Sequence, residues 1–479
     1  MRTAATCRGP PTKRQRRIAV DQRVQASCGL GSAQARATQT GLALVTGRIQ
    51  RTAEGDFPVV VIGGGITGAA TAAAAAAPGA SVVLFEKEDG PAREGSGCAQ
   101  GSLRVQGHHG AEFPLAQEAL QLWTDAAEEG DFDLVKGGNR YFRTKEDELP
   151  ILQHLVEEAH KAGLTQVQLL DAAQVREIMP AATGPFLGAM WSPVDAQCQS
   201  EKGTELYTRR AEKAGAQIAF GVKVTKLIES CGRIIGVDTT AGRIQAGAVV
   251  VGAGVWTPYL AKTVGLDVPI MPVVMSELET EPVKPLFEQA IRAFGFGSRQ
   301  RRNGKVVVSV GLNAKVAHGV SLADLNGLRY WLTRAMSFRK NLKVKFDLAR
   351  TIEQLRHRST LSTDLIPHVS PELTCDRKVV HSALGRLSTV IPELQGAKAT
   401  RYWGGLVDMT PDGLPIIDGH VGPEGLPLIT GLAGHGFTLG PVLGEIASDL
   451  SLDGATKRDI ESFRLARYQG KVDQPEMMI

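Results

Sequence analysis

The chain has 479 residues, 43% hydrophobic and 22% charged, with 54 Lys and Arg against 50 Asp and Glu for a net charge of +4. That length excludes a single small module and suits two sizeable folding units, or one domain with a second inserted into it. The basic surplus sits mainly near the N-terminus, so there is no case for a nucleic-acid-binding body, and no run approaches the roughly eighteen apolar residues that a bilayer span requires.

Residues 1–56 are Arg-rich, poor in acids and without hydrophobic periodicity, so a disordered extension is expected there. The Arg16-Arg17 pair is similar to an export signal, but Asp21 and Arg23 interrupt the apolar stretch such a signal needs, and a cytoplasmic location is expected. The first element is Phe57 to Ile62, a continuous β-branched run of the kind that forms a central parallel strand buried on both faces. It enters Gly63-Gly64-Gly65-Ile66-Thr67-Gly68, which meets the pattern GxGxxG at Gly63, Gly65 and Gly68. The first glycine allows the tight turn, the second lets backbone approach a pyrophosphate, and the third lets helix and strand pack closely. An Ala-rich helix follows, with its N-terminal amides aimed at the phosphates. A second buried strand, Ser81 to Phe85, ends on Glu86, about twenty residues after the glycines, where an acid accepts ribose hydroxyls. This unit leaves FAD against NAD open, while Glu86 argues against NADP because a carboxylate repels the 2′-phosphate.

After Glu86 and Lys87 the chain reads Ser96-Gly97-Cys98-Ala99-Gln100-Gly101-Ser102-Leu103-Arg104; later it reads Ala246 to Trp256, another buried strand ending in a Gly turn. Near the C-terminus come Trp403-Gly404-Gly405-Leu406, then Thr410-Pro411-Asp412-Gly413, then Gly431-Leu432-Ala433-Gly434-His435-Gly436-Phe437-Thr438-Leu439-Gly440. On these segments the chain resembles the D-amino-acid oxidase-like flavoenzymes, a group that includes D-amino-acid dehydrogenases, glycine oxidase and sarcosine oxidase. The resemblance runs from Phe57 to about Leu452 and is most specific at its two ends.

The resemblance implies an α/β fold in which a discontinuous Rossmann-type FAD-binding domain (57–103, 197–266 and 398–479) carries an inserted α+β substrate domain (104–196 and 267–397) built on an antiparallel sheet. It implies FAD contacts at Gly63, Gly65, Ile66, Thr67, Gly68, Glu86 and Lys87, at Ser96, Gln100, Gly101 and Ser102, at Val224, and at Ala253, Gly254 and Trp256. It also implies contacts at Gly405 and along Gly434, His435, Gly436, Phe437 and Thr438. Gly434 to Gly440 is read as a flexible turn feeding an apolar helix from Val442 to Leu450. The flavin is expected to be noncovalent; Cys98 and the pair His108-His109 are the residues that keep covalent attachment open, and the pair is otherwise read as lining the re-face entrance or as an exposed loop pair.

The implied chemistry is oxidation of an amine or amino acid, a D-amino acid or N-alkyl amino acid, by hydride transfer to the flavin, giving an imine that hydrolyses. Electrons would pass to oxygen, with Lys315 as the cation beside the flavin, or to a quinone or other carrier. A different reading is a non-catalytic or electron-relaying FAD subunit of a hetero-oligomeric amine dehydrogenase. His435 is the titratable residue of the closing segment, placed to tune the flavin or hold substrate. Many amino-acid-oxidising relatives carry an Arg shortly after the Trp-x-Gly element, whereas Leu406, Val407 and Asp408 stand here. Arg299, in a cluster with Arg301 and Arg302 before a strand at Lys305 to Val310, is therefore a candidate carboxylate clamp; Asp408 would instead attract a cationic amine. The basic stretch 322–358, helical in pattern at Leu325, Leu328, Trp331, Leu332 and Met336, is a candidate contact with a membrane or partner subunit. The six cysteines, Cys7, Cys28, Cys98, Cys198, Cys231 and Cys375, show no metal-ligand spacing and are read as reduced thiols, with no metal site.

Overall fold

Val59, Val60 and Val61 are fully buried because the strand Asp56–Ile62 lies inside a sheet, parallel to Val82–Glu86 on one side and to Gly242–Val251 on the other. The computed structural model describes residues 56–77, 79–310, 316–320, 342–346 and 375–469. The expectations for the N-terminal extension, for Lys315 and for the helical pattern within 322–358 lie outside the described residues; of that stretch only the strand Leu342–Phe346 is described.

The first sheet runs Val224–Ser230, Arg233–Thr239, Gly242–Val251, Asp56–Ile62, Val82–Glu86, Gln217–Phe220, with Leu428–Thr430 and Ile416–Asp418 added beside Gly242–Val251. Its strands come from distant parts of the chain. The helix Ile66–Ala76 crosses the C-terminal helix Gly436–Leu452 through small residues: a Cβ on Gly444 would stand 2.5 Å from that of Ala70, and one on Gly440 would stand 2.4 Å from Ile66 Cγ1. Such an approach requires glycine. It also corrects the reading of Gly434 to Gly440 as a turn, since the helix begins at Gly436 and takes in Gly440. There the glycine serves helix-to-helix contact rather than chain reversal.

The second sheet runs Ala399–Met409, Met271–Pro282, Lys305–Val310, Phe296–Gln300, Ala290–Ala293, Asn139–Arg143, Gly188–Ser192, Gln168–Asp171. Every pairing is antiparallel except Ala290–Ala293 with Asn139–Arg143, which is parallel and sets Arg292 opposite Tyr141. The helix Arg377–Val390 covers one face through Val380, Leu384 and Leu387, in a core shared with Phe142, Phe296 and Val308. The fold is thus α/β, with a Rossmann-type sheet assembled from separated segments and an antiparallel sheet between them. Cys98, Cys198 and Cys375 are free, whereas Cys231 is disulfide-bonded, contrary to the reading of every cysteine as reduced.

Candidate active site

The glycine turn is built for close approach. Gly63 has φ +110°, a region that excludes side chains at little cost only in glycine, and a Cβ there would stand 2.5 Å from the Gly252 carbonyl oxygen. Glu86 locks the turn, one carboxylate oxygen accepting the Gly64 N–H at 2.5 Å and the other the Glu88 N–H at 2.8 Å; burial nevertheless raises its carboxyl above the ordinary value. Ser96 Oγ accepts the Ile66 N–H at 2.9 Å, and Glu94 ties Lys87 Nζ (2.6 Å) to Trp256 Nε1 (2.6 Å).

These groups open on one cavity of about 360 Å³ between the two sheets. Three glycines from separate elements turn bare backbone toward it. A Cβ on Gly65 would meet only Ser96 Oγ at 3.0 Å, one on Gly254 would meet nothing, and one on Gly434 only Val407 Cγ1 at 4.0 Å. Together with the start of the helix Ile66–Ala76, whose N-cap Gly65 brings no side chain of its own, that cradle fits a dinucleotide. Every position expected to touch the cofactor lines the cavity except Gly68, which packs on Gly63, and Thr438, whose hydroxyl receives the Arg104 N–H and donates to the Ser102 carbonyl, both at 3.2 Å.

Two arginines and a carboxylate–histidine group line or border the cavity; sequence reasoning singled out His435 and the pair His108-His109, named Arg104 only as the end of the Ser-Gly segment, and passed over Arg292 and Glu112. Arg104 and Arg292 both reach the wall; burial, then the charge of Arg292, pushes Arg104 down to about 9, and burial lowers Arg292 as well. Arg292 makes no hydrogen bond or ion pair with the described residues. His435 Nδ1 lies 3.1 Å from Glu112 Oε1, and the His108 ring lies against His435 with centroids 4.2 Å apart. His108 is buried, not exposed as expected, because the segment turns inward at Gly107 and caps the next helical turn through His109. Burial, then the neighbouring His435, pushes His108 down to about 4. Burial alone would raise Glu112, but the two histidines outweigh it and hold the carboxyl well below its ordinary value. Donor atoms of the three residues lie within 4.8 Å of one another, the reach of a shared cation, but the Arg104 guanidinium beside them opposes a second positive charge there.

The other expected substrate residues have different surroundings. Arg299 lies within the strand Phe296–Gln300, not on a loop; it is buried beside Glu277 and Cys198 and does not line the cavity. Both faces of that strand are buried, while Arg301 pairs with Glu279 and Glu201, and Arg302 with Asp131 and Asp133. Asp408 lines the cavity, yet its carboxylate accepts the Gly431 N–H at 2.7 Å and approaches the Thr430 hydroxyl at 3.5 Å, and burial pushes it up to about 6. Cys98 faces Gly405, its thiol pushed up to about 12 by burial.

A family model described as FAD dependent oxidoreductase (DAO) matches residues 58–450. Glycine oxidase of Geobacillus kaustophilus (strain HTA426) is 27% identical over 432 residues, covering 87% of this chain and 98% of that protein. N-methyl-L-tryptophan oxidase of Yersinia pestis (strain Pestoides F) is 26% identical over 420 residues, covering 86% and 100%. Among solved structures, L-amino acid deaminase from Proteus vulgaris matches with a TM-score of 0.77 at 22% identity over 88% of this chain and 99% of that one. Glycine oxidase from Geobacillus kaustophilus matches with a TM-score of 0.69 at 24% identity over 87% and 100%; at such identities these likenesses concern the fold.

Proposed function

The chain belongs to the family of FAD dependent oxidoreductases (DAO), matched over residues 58–450, and from that premise we propose that it oxidises the CH–NH or CH–NH2 group of an amino acid whose carboxylate is held by Arg292. The observation that carries this reading is Arg292 itself, a guanidinium on the cavity wall without an ion pair among the described residues. An unpaired cation out of water costs several kcal/mol, so the site favours an anionic partner. Arg104, alongside it, adds a second positive charge. Both the glycine and the N-methyl amino acid named for the relatives carry a carboxylate beside the reacting nitrogen, which supports the same class of substrate here.

Bound FAD supplies the two-electron acceptor for hydride leaving the carbon next to nitrogen. The protein's share is positioning: Gly63, Gly65 and Glu86 shape the turn for the pyrophosphate and ribose, and the bare Gly434 backbone leaves room at the cavity's far end. Noncovalent attachment is favoured because burial keeps the Cys98 thiol protonated and so a poor nucleophile. Molecular oxygen is the acceptor that the oxidase relatives support.

The test is an anaerobic screen for bleaching of the flavin by glycine, D- and L-amino acids, their N-methyl derivatives, and the matching amines without carboxylate. An amino acid is expected to bleach it, and Arg292→Met to raise the half-saturation for that substrate by about a hundredfold or more while leaving flavin content intact. Preference for the decarboxylated amines, with Arg292→Met indifferent, would refute the assignment.

A further inference from the structure

An α-amino acid at neutral pH carries an ammonium group, and hydride can leave the adjacent carbon only when the nitrogen holds a free electron pair. A proton must therefore leave that nitrogen inside a cavity walled by Arg104 and Arg292. Resting on the amino-acid reading above, we propose that His435 and Glu112 form a catalytic dyad that removes it, with His435 Nε2 as the base and Glu112 as its positioning residue.

Glu112 is wholly buried, and its Oε1 lies 3.1 Å from His435 Nδ1. An ionised carboxylate only accepts hydrogen bonds, so Nδ1 must carry the proton and the free pair of neutral His435 is left on Nε2. His435 lines the cavity, and its Nε2 has no hydrogen-bond partner among the described residues. Glu112 is itself held: its second oxygen accepts the His109 N–H at 3.2 Å, and the short turn Gly110–Glu112 leads into the helix Phe113–Ala126. His108, closing the other side, is kept neutral by burial and by His435, so it does not compete as a second cation when His435 takes up a proton. In the step, the substrate N–H bond breaks and Nε2–H forms. The electron pair stays on nitrogen, where it becomes the second bond of the imine as hydride departs to the flavin. The Glu112 charge stabilises the resulting imidazolium, as a buried carboxylate does behind a catalytic histidine in hydrolytic triads. The charged group that bears on this cluster from another element is Arg104, which acts on both Glu112 and His108; it opposes a positive His435, and the Glu112 charge offsets it.

The test is stopped-flow reduction of the holoenzyme flavin against pH, paired with long-range ¹H–¹⁵N spectra of histidine-labelled holoenzyme. His435→Gln is expected to slow the limiting rate by about a hundredfold at neutral pH with a zwitterionic substrate, and to recover above the substrate's own ammonium pKa. Glu112→Gln is expected to give a smaller loss and to remove the Nδ1–H signature of His435, with Glu112→Asp partly restoring both. A loss of equal size at every pH, or an unchanged profile in His435→Gln, would overturn the dyad. So would a His435 resonance protonated on Nε2 in the wild type. If no amine or amino acid bleaches the wild-type flavin, the functional reading fails instead; the histidine spectra still judge the dyad's geometry by themselves.

Discussion

Gly68 rests so closely on Gly63 that a Cβ on it would stand 1.9 Å from the Gly63 carbonyl oxygen. Gly65, two positions along the same motif, has an ordinary φ of −74°, and a Cβ there would meet only the Ser96 side chain, with Oγ at 3.0 Å. The two glycines therefore fail differently. Gly65→Asp is expected to fold normally, by circular dichroism, yet to purify without flavin, since the carboxylate stands where the pyrophosphate approaches. Gly68→Ala is expected to lose soluble protein. Normal flavin content in folded Gly65→Asp protein would remove the dinucleotide from this turn.

Asp408 holds the closing loop rather than standing free in the cavity. Its carboxylate takes the Gly431 N–H, while its carbonyl takes the Ala433 N–H at 3.1 Å, just before Gly434 and His435. Asp408→Ala leaves the Gly431 donor buried and unpaired, which costs about 1 to 3 kcal/mol. Lower thermal stability and weaker flavin retention are expected, with the half-saturation for substrate little changed in the fraction that keeps flavin. A selective loss of affinity for cationic amines would instead make Asp408 a substrate contact.

The nucleotide half was readable because its signals are local: a buried strand, a glycine turn and a terminal acid follow one another within one βαβ unit. The proposed substrate side was not, since its residues meet only through long-range pairing. Glu112 lies 323 residues from His435, and nothing in His108-His109-Gly110-Ala111-Glu112 announces burial. Arg292 reaches the cavity from a strand that pairs in parallel with Asn139–Arg143, a register invisible before the sheet is built. Arg299, Arg301 and Arg302 looked like one basic cluster, but the strand ends between them: Arg301 and Arg302 pair with acids, whereas Arg299 is buried within the sheet. The glycines of the closing segment misled for a related reason: local sequence cannot distinguish a glycine that turns the chain from one that admits a neighbouring helix.

Arg299 gives a direct contrast with Arg292. It is buried near Glu277, with no ion pair to it, and away from the cavity lining, so Arg299→Ala is expected to lower stability by about 1 to 3 kcal/mol through the packing it removes. The half-saturation for an amino acid should stay within a few-fold of wild type. A large rise in that constant, with stability intact, would return the carboxylate clamp to Arg299.

Glu277, buried near Arg299, makes that burial measurable as a pH dependence. Burial pushes its carboxyl from 4.5 up to about 8, against the opposing charge of Arg299, and its Oε2 has no hydrogen-bond partner. A carboxyl whose folded pKa lies above its unfolded value favours folding while protonated. Its contribution is therefore whole below about pH 4.5 and is lost as pH rises to about 8. The size is on the order of a few kcal/mol, since each pKa unit corresponds to about 1.4 kcal/mol. Glu277→Gln keeps the shape and cannot ionise, so its melting temperature should approach that of wild type near pH 5, exceed it increasingly up to about pH 8 and hold that lead above it. Melting curves of the two holoproteins across that range decide the matter. A difference that stays flat with pH would mean that Glu277 is already charged in the folded protein, with Arg299 compensating it fully.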